Sequence, residues 1–316
     1  MISSEYLLQV VKRAVTVPAS QPLLTNADIL AMADEKIKSR LIPLIESFDT
    51  DFFIRKDSIS LVGSQDYYDI PYRAIGRGLR DIQLLDAQQN IRSLPLIALE
   101  EQNYFTMSSD ISGFYFEGDR IKMVPKVPSN VTGMALVLYW RLAPSKLIEV
   151  SDVGTVTSVA YDVGGFDEVT LQSLPSFATA GTLIDFVKKR SGSSILDFDR
   201  TIQAVVGTTL RFTAGQVPTT LVSGDYVCPQ EYSPVVNNLP DECISLLKSH
   251  TCQSILEAIG DFQAADRVAK MNIPDEEKDF KSLMSPRIDG EPVIVINRRS
   301  LVRGNKFSQR RWIGPP

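Results

Sequence analysis

The sequence predicts an α+β protein: a helical bundle built from N- and C-terminal helices, with a β-rich region between them. Three observations carry this. Apolar residues keep helical spacing before residue 48 and again after residue 238. Between about 52 and 232 the pattern changes to alternating or β-branched runs separated by turn residues. The last thirty or so residues keep neither period. A length of 316 and an apolar fraction of 44% allow about two units, each with its own core. Residues 1–150 and 236–285 are then two parts of one core. Residues 151–235 are an inserted small β barrel or sandwich, and 286–316 are an extended basic C-terminal arm.

Element by element, a short helix is expected over 3–14, capped by Ser3 or Ser4, with Leu7, Val10, Val11 and Ala14 on one face. After Pro18 and Pro22, Thr25-Asn26-Ala27-Asp28 has capping-box spacing. Behind it Ile29, Leu30, Ala33, Ile37, Leu41, Leu44 and Phe48 keep helical spacing. Pro43 lies inside the run and predicts a bend or break near residue 42. Strands are expected at 58–62, 79–85, 113–116, 120–124 and 135–142, with Glu117-Gly118-Asp119 as a hairpin turn. A second set falls at 154–161, 168–171, 183–188, 203–211 and 225–227. Helical spacing returns with Ile244, Leu247, Thr251, Ile255, Ala258 and Ile259, opened by Pro240-Asp241-Glu242 and closed by Gly260. Phe262, Ala265 and Val268 mark a further helix over 261–271, and a third short one starts at Pro274.

Charge separates the arm from the rest. From 286 to 316 there are seven basic residues against Asp289 and Glu291, so a chain of net charge −5 divides into an arm of +5 and a body of −10. Val293, Ile294, Val295 and Ile296 form a strand-capable run. Arg298, Arg299, Arg303, Lys306, Arg310 and Arg311 come after it, with Trp312 near the end. A basic, strand-capable arm on an acidic body is suited to docking on another subunit or on a phosphate backbone.

Catalytic patterns are sparse. The single histidine, His250, sits mid-helix, and Cys228, Cys243 and Cys252 have no metal-ligand spacing. Gly76-Arg77-Gly78 lacks the third glycine of a dinucleotide fingerprint, and no phosphate loop or nucleophile elbow occurs. Asp197-Phe198-Asp199 would place two carboxylates on one strand face, where a divalent cation fits. Asp275-Glu276-Glu277-Lys278-Asp279 is an acidic helix start. Neither has a histidine or phosphate loop beside it, so solvated carboxylates are the better account of both. No catalytic, cofactor or metal residue is therefore expected. No apolar run reaches the roughly 18 residues of a membrane-spanning helix, and the first residues lack a signal-peptide pattern. Synthesis in a reducing, intracellular compartment is the expectation.

One block adds a family resemblance. Gly63-Ser64-Gln65-Asp66-Tyr67-Tyr68-Asp69-Ile70-Pro71-Tyr72-Arg73-Ala74-Ile75-Gly76, leading into Leu79-Arg80-Asp81-Ile82, comes after the helix from Asn26 to Glu35. Together they resemble head-to-tail adaptor (tail-tubular or connector) proteins of tailed bacteriophages, most of all those of short-tailed phages. Gly113 to Ile121, Leu138-Tyr139-Trp140-Arg141-Leu142-Ala143-Pro144 and the helices after Leu239-Pro240-Asp241-Glu242 are similar to the same family. The likeness covers about 25–148 and 236–285, and it rests on patterns rather than on an active site.

The resemblance implies a structural virion protein at the head–tail junction. Such subunits form a ring, usually a dodecamer, between the portal protein and the next tail ring or nozzle, with DNA passing through the channel without sequence specificity. The basic arm then corresponds to an extension that reaches the portal: 293–296 would add a strand, the arginines would pair with acidic groups, and Trp312 would fill a pocket. Residues 151–235 depart from the family pattern and would face outward, towards fibres or spikes. Two other functions stay open at this point: another tail ring, such as a stopper or nozzle component, and a nucleic-acid-binding protein with a DNA-contacting arm.

Overall fold

The computed structural model describes residues 3–15, 24–86, 88, 90–98, 100, 110–129, 131, 133–189 and 195–284. All belong to one compact unit, Met1–Met284. It is a mixed α/β structure with helices at both ends of that unit and several sheets between them. No helix is long and apolar enough to cross a membrane.

Helix α1 (Ser4–Val15) starts where the Ser3 hydroxyl accepts from the Tyr6 N–H at 3.2 Å. Its buried face is Leu7, Leu8, Val11 and Val15, so the expected stripe through Val10 and Ala14 is rotated: Ala14 is exposed. The capping box at α2 (Asn26–Lys36) is present, with Thr25 and Asp28 exchanging side-chain and backbone bonds. Pro43 does not break the helical run. A π-helical turn, Ile37–Leu41, leads directly into α3 (Ile42–Phe48), and the Ile42 N–H reaches the Ile37 carbonyl. The wider turn takes up one extra residue and makes room for a ring that would crowd an ordinary α turn.

The same device recurs near the C-terminal end. After α4 (Ile244–Ala258), α5 (Phe262–Arg267) passes through the π turn Val268–Asn272 into α6 (Ile273–Leu283), with Pro274 at its start. The separate helices expected over 261–271 and from Pro274 are therefore one continuous helical run. α4 is buried on more than one side: Leu246, His250 and Cys252 are covered as well as Leu247 and Ile255, whereas Ile259 is exposed. One apolar cluster joins residues from α1, α2 and α3 to residues from α4, α5 and α6. The two ends of the unit thus share a core.

Two sheets come after α3. The first has the order β1 (Ile54–Ser60), β7 (Ala135–Leu142), β3 (Ala74–Leu85), β4 (Ile91–Ser93); the second is β2 (Tyr67–Asp69), β6 (Arg120–Val124), β5 (Gly113–Glu117). Their inward residues, among them Tyr68, Ile82, Ile121, Leu136, Leu138 and Trp140, form one cluster. Strand β1 starts four residues earlier than expected, and β2 and β4, each three residues long, lie below the level of a sequence pattern. Gly63, at the head of the block that carries the resemblance, allows a close approach: an added Cβ would stand 2.6 Å from the Ser129 carbonyl oxygen.

The chain leaves this core through β8 (Lys146–Leu147) and enters a seven-stranded sheet. Its strands are β9 (Gly154–Val163), β10 (Phe166–Leu171), β11 (Leu183–Val187), β12 (Ile195–Thr201), β13 (Ala204–Val206), β14 (Thr209–Thr213) and β15 (Tyr226–Pro229). It returns through β16 (Tyr232–Ser233), which lies parallel to β8. The sheet order is β12-β11-β15-β9-β10-β14-β13. β11 and β14 stand four strand spacings apart, about 19 Å in a flat sheet. Yet the rings of Phe186 and Phe212, one from each, lie 5.4 Å apart. The end strands β12 and β13 are also joined by only Ile202 and Gln203. The sheet is strongly curled around its own apolar cluster. No ladder pairs its two end strands among the described residues, so the small β barrel or sandwich expected over 151–235 is found as one strongly curled sheet, and no closed barrel is formed.

Ile255 is fully buried where α4 meets the helices on either side. Ile255→Ala is expected to cost about 2–5 kcal/mol, read from the midpoint of urea unfolding tracked by far-ultraviolet circular dichroism.

Candidate functional site

All of the predicted arm residues, Val293 to Ile296, Arg298, Arg299, Arg303, Lys306, Arg310, Arg311 and Trp312, lie outside the described residues. The described residues build a polar junction between the curled sheet and the core, with a cleft beside it.

Arg73 is the centre of the junction. Pro71-Tyr72-Arg73 forms the turn into β3, and Arg73 is buried, at 6% exposure. Its Nη2 donates to both oxygens of Asp185, at 2.9 and 2.7 Å. Asp185 is wholly buried in β11, and it also accepts from the N–H groups of Asp199 at 3.1 Å and Glu231 at 3.0 Å. Burial pushes the Asp185 carboxyl up from its ordinary value, against the opposing pull of Arg73 and those N–H groups. Arg73 Nε donates to the Tyr72 hydroxyl at 2.9 Å, and that hydroxyl donates to Asp199 at 2.6 Å. Burial and the Asp199 acceptor raise the Tyr72 phenol to about 12.

Phe198 completes the contact. Its ring lies 4.3 Å from the Arg55 guanidinium carbon and 4.9 Å from that of Arg73, and it meets Trp140 edge-on at 6.3 Å. Trp140, fully buried, donates its indole N–H to Asp57 at 2.7 Å. Beside these groups opens a cleft of about 1050 Å³. Its rim carries three exposed ion pairs: Arg77 with Asp119 at 3.9 Å, Arg120 with Asp69 at 3.4 Å, and Lys122 with Glu117 at 2.5 Å.

The two carboxylates expected to share a strand face are separated. Asp199 has φ +60°, which breaks the alternation of β12. Asp197 is taken by Arg200 at 2.6 Å, while Asp199 turns to Tyr72 and Gln230. Among the described residues no group of three or more His, Cys, Asp or Glu side chains is arranged to hold a metal ion. His250 is buried, and desolvation together with Arg40 and Lys36 lowers its imidazole to about 4. In the acidic start of α6, burial raises the carboxyl of Glu276. Gly76-Arg77-Gly78 is an irregularity within β3, with positive φ at Gly76 and Arg77.

Tyr72, Arg73, Asp185 and Trp140 carry the junction, and none stands out for that role in the sequence. One signal was available: Asp185 is a lone carboxylate in the apolar run Leu183–Val187, and such a residue needs a buried partner. No protein-family model matches this chain, and no curated protein matches it.

A half-buried carboxylate sits where the chain enters the curled sheet. Both oxygens of Asp34, on α2, accept from the Leu147 N–H at 3.0 Å, and desolvation raises the group to about 7 despite that bond and nearby Lys38 and Lys146.

Both sites are open to measurement. Arg73→Met is expected to destabilise by about 3–5 kcal/mol, with a smaller coupled loss when Asp185→Asn is added; a double-mutant cycle by urea unfolding measures the coupling. For Asp34 the folded pKa lies above the unfolded one, so its stabilising contribution is full below about pH 4 and is lost as pH rises through about 7. Across that window Asp34→Asn should flatten the stability–pH curve by up to about 1.4 kcal/mol per pH unit.

Proposed function

We propose that this chain is a non-enzymatic structural protein of a phage virion, a subunit of the adaptor ring that joins the portal protein to the tail and continues the DNA channel. The observation that carries the proposal is the shared core of the helices before and after the β region. It is the arrangement that the adaptor resemblance implies for a subunit whose two helical ends form one bundle. Within the ring, lateral contacts between bundles close the circle of copies. The curled sheet, fed and drained through β8 and β16, is the outward platform for fibres or spikes.

Charge supports the same assignment. A body of net −10 repels DNA and favours passage over sticking, and the basic segment after residue 285 is suited to an acidic partner. Ordering that segment on the portal costs entropy, and multiple copies in a ring let each bind weakly. The protein would be made in the host cytoplasm and reside at the head–tail junction. The charge of the same segment favours one other function, contact with DNA by the arm.

The test is capture of purified portal protein by the full chain and by a version ending at Ser285. Capture by the full chain, lost on truncation, is the expected outcome. Equal capture by both would move the interface to the body, and capture by neither would overturn the adaptor assignment. Salt-sensitive binding of duplex DNA by the full chain alone would then favour the DNA-contacting arm.

A further inference from the structure

Three sheets end on one cleft. β1, β2 and β12 are end strands of the four-, three- and seven-stranded sheets. Each contributes to the walls: Ile59 from β1, Asp69 from β2, Phe198 and Asp199 from β12. An end strand carries a row of backbone N–H and C=O groups with no ladder partner, a template for a further strand. Of the two rows in the core sheets, β1 offers the longer, seven residues against the three of β2. The Leu142 N–H donates to the Phe53 carbonyl at 2.8 Å, and the Leu61 N–H to the Met134 carbonyl at 3.0 Å. Residues of odd number from 53 to 61 therefore bond to β7, and Lys56, Ser58 and Ser60 turn their backbone groups away from it.

The charges of the cleft are nearly matched. The three rim carboxylates each have a cation, Asp57 has Arg55 at 3.2 Å, and Arg73 is committed to Asp185. Among the described residues Asp199 is the surplus carboxylate: beyond Tyr72 and Gln230 its partner there is Arg73, at 3.4 Å. Apolar surface from Ile59, Ile70 and Phe198 adjoins it.

We infer that this cleft receives an extended strand of a partner protein, which pairs with the free edge of β1 and carries a basic side chain to Asp199 between apolar side chains at the alternate positions. The main-chain bonds would supply affinity, and the Asp199 contact would select charge. The inference does not rest on the portal-docking reading of residues 286–316.

The test uses the full chain and two fluorescein-labelled peptides, Thr-Val-Thr-Lys-Thr-Val-Thr and its counterpart with Glu for Lys, read by fluorescence anisotropy. The Lys peptide should bind at least about tenfold more tightly than the Glu peptide, and Asp199→Asn should remove most of that difference. Asn suits the positive φ at this position, so this variant keeps the fold. Ser58→Pro removes one outward N–H and no bond to β7, and should weaken the Lys peptide about tenfold, with Ser58→Ala as the unaffected control. No binding, equal binding of both peptides, or equal behaviour of Ser58→Pro and Ser58→Ala would overturn the proposal. So would self-association of the chain that Ser58→Pro abolishes, which would assign the edge to a second copy.

Discussion

A guanidinium taken out of water must be met by an opposite charge, and most of this structure's middle is arranged around that requirement. Arg73 belongs to the core and Asp185 to the curled sheet, 112 residues apart in the chain. Removing two charges from water costs several kcal/mol each, which only good geometry and further hydrogen bonds offset. Here Asp185 receives both. Two bonds come from Arg73 and two from backbone N–H groups that begin or end neighbouring segments. Those N–H groups belong to Asp199 and Glu231, so one carboxylate fixes the bend in β12 and the chain just before it re-enters the core. Such a pair is weak evidence of net stability, because replacing both charges by well-packed apolar groups of similar volume is often neutral or stabilising, whereas removing one partner alone strands a buried charge.

The position of the cleft is a consequence. Phe198 is held between two guanidiniums and against Trp140 because β12 is bent at Asp199. With β12 anchored there, its edge meets the edges of β1 and β2, and the carboxylate that the bend redirects becomes part of the wall. A strand with regular alternation would have placed Asp197 and Asp199 on the same side and closed this corner differently.

How far the sequence disclosed these features depended on their range. The Thr25–Asp28 capping box and the hairpin at Gly118-Asp119 are local, and both were legible from neighbouring residues. The π turns were not: one extra residue in a turn barely changes the apolar spacing of Ile37, Leu41 and Ile45, so Pro43 pointed to a bend or break and not to a widened turn. The start of β1 is hidden because Arg55, Lys56 and Asp57 resemble a loop. Two of these charges pair with each other, and Arg55 stacks on a ring from the distant β12. The apolar run around Asp185 marked a strand; the lone carboxylate within it was a signal of a buried charge that went unread, and nothing local identified Arg73 as its partner. The charge pattern of 286–316 was the most conspicuous feature of the sequence, and it lies outside the described residues.

The parallel pairing of β8 and β16 has a mechanical meaning. The curled sheet is attached to the C-terminal end of β8 and to the N-terminal end of β16, which are opposite ends of a parallel pair. Drawing those two attachment points apart along the strand axis slides the two strands past each other. It does not peel them apart from one end. The bonds from Lys146 N–H to Glu231 and from Ile148 N–H to Ser233, together with the Lys146–Glu231 ion pair, are then loaded at the same time. A tether of two short strands is in this way built to resist being pulled, because its few bonds must yield together.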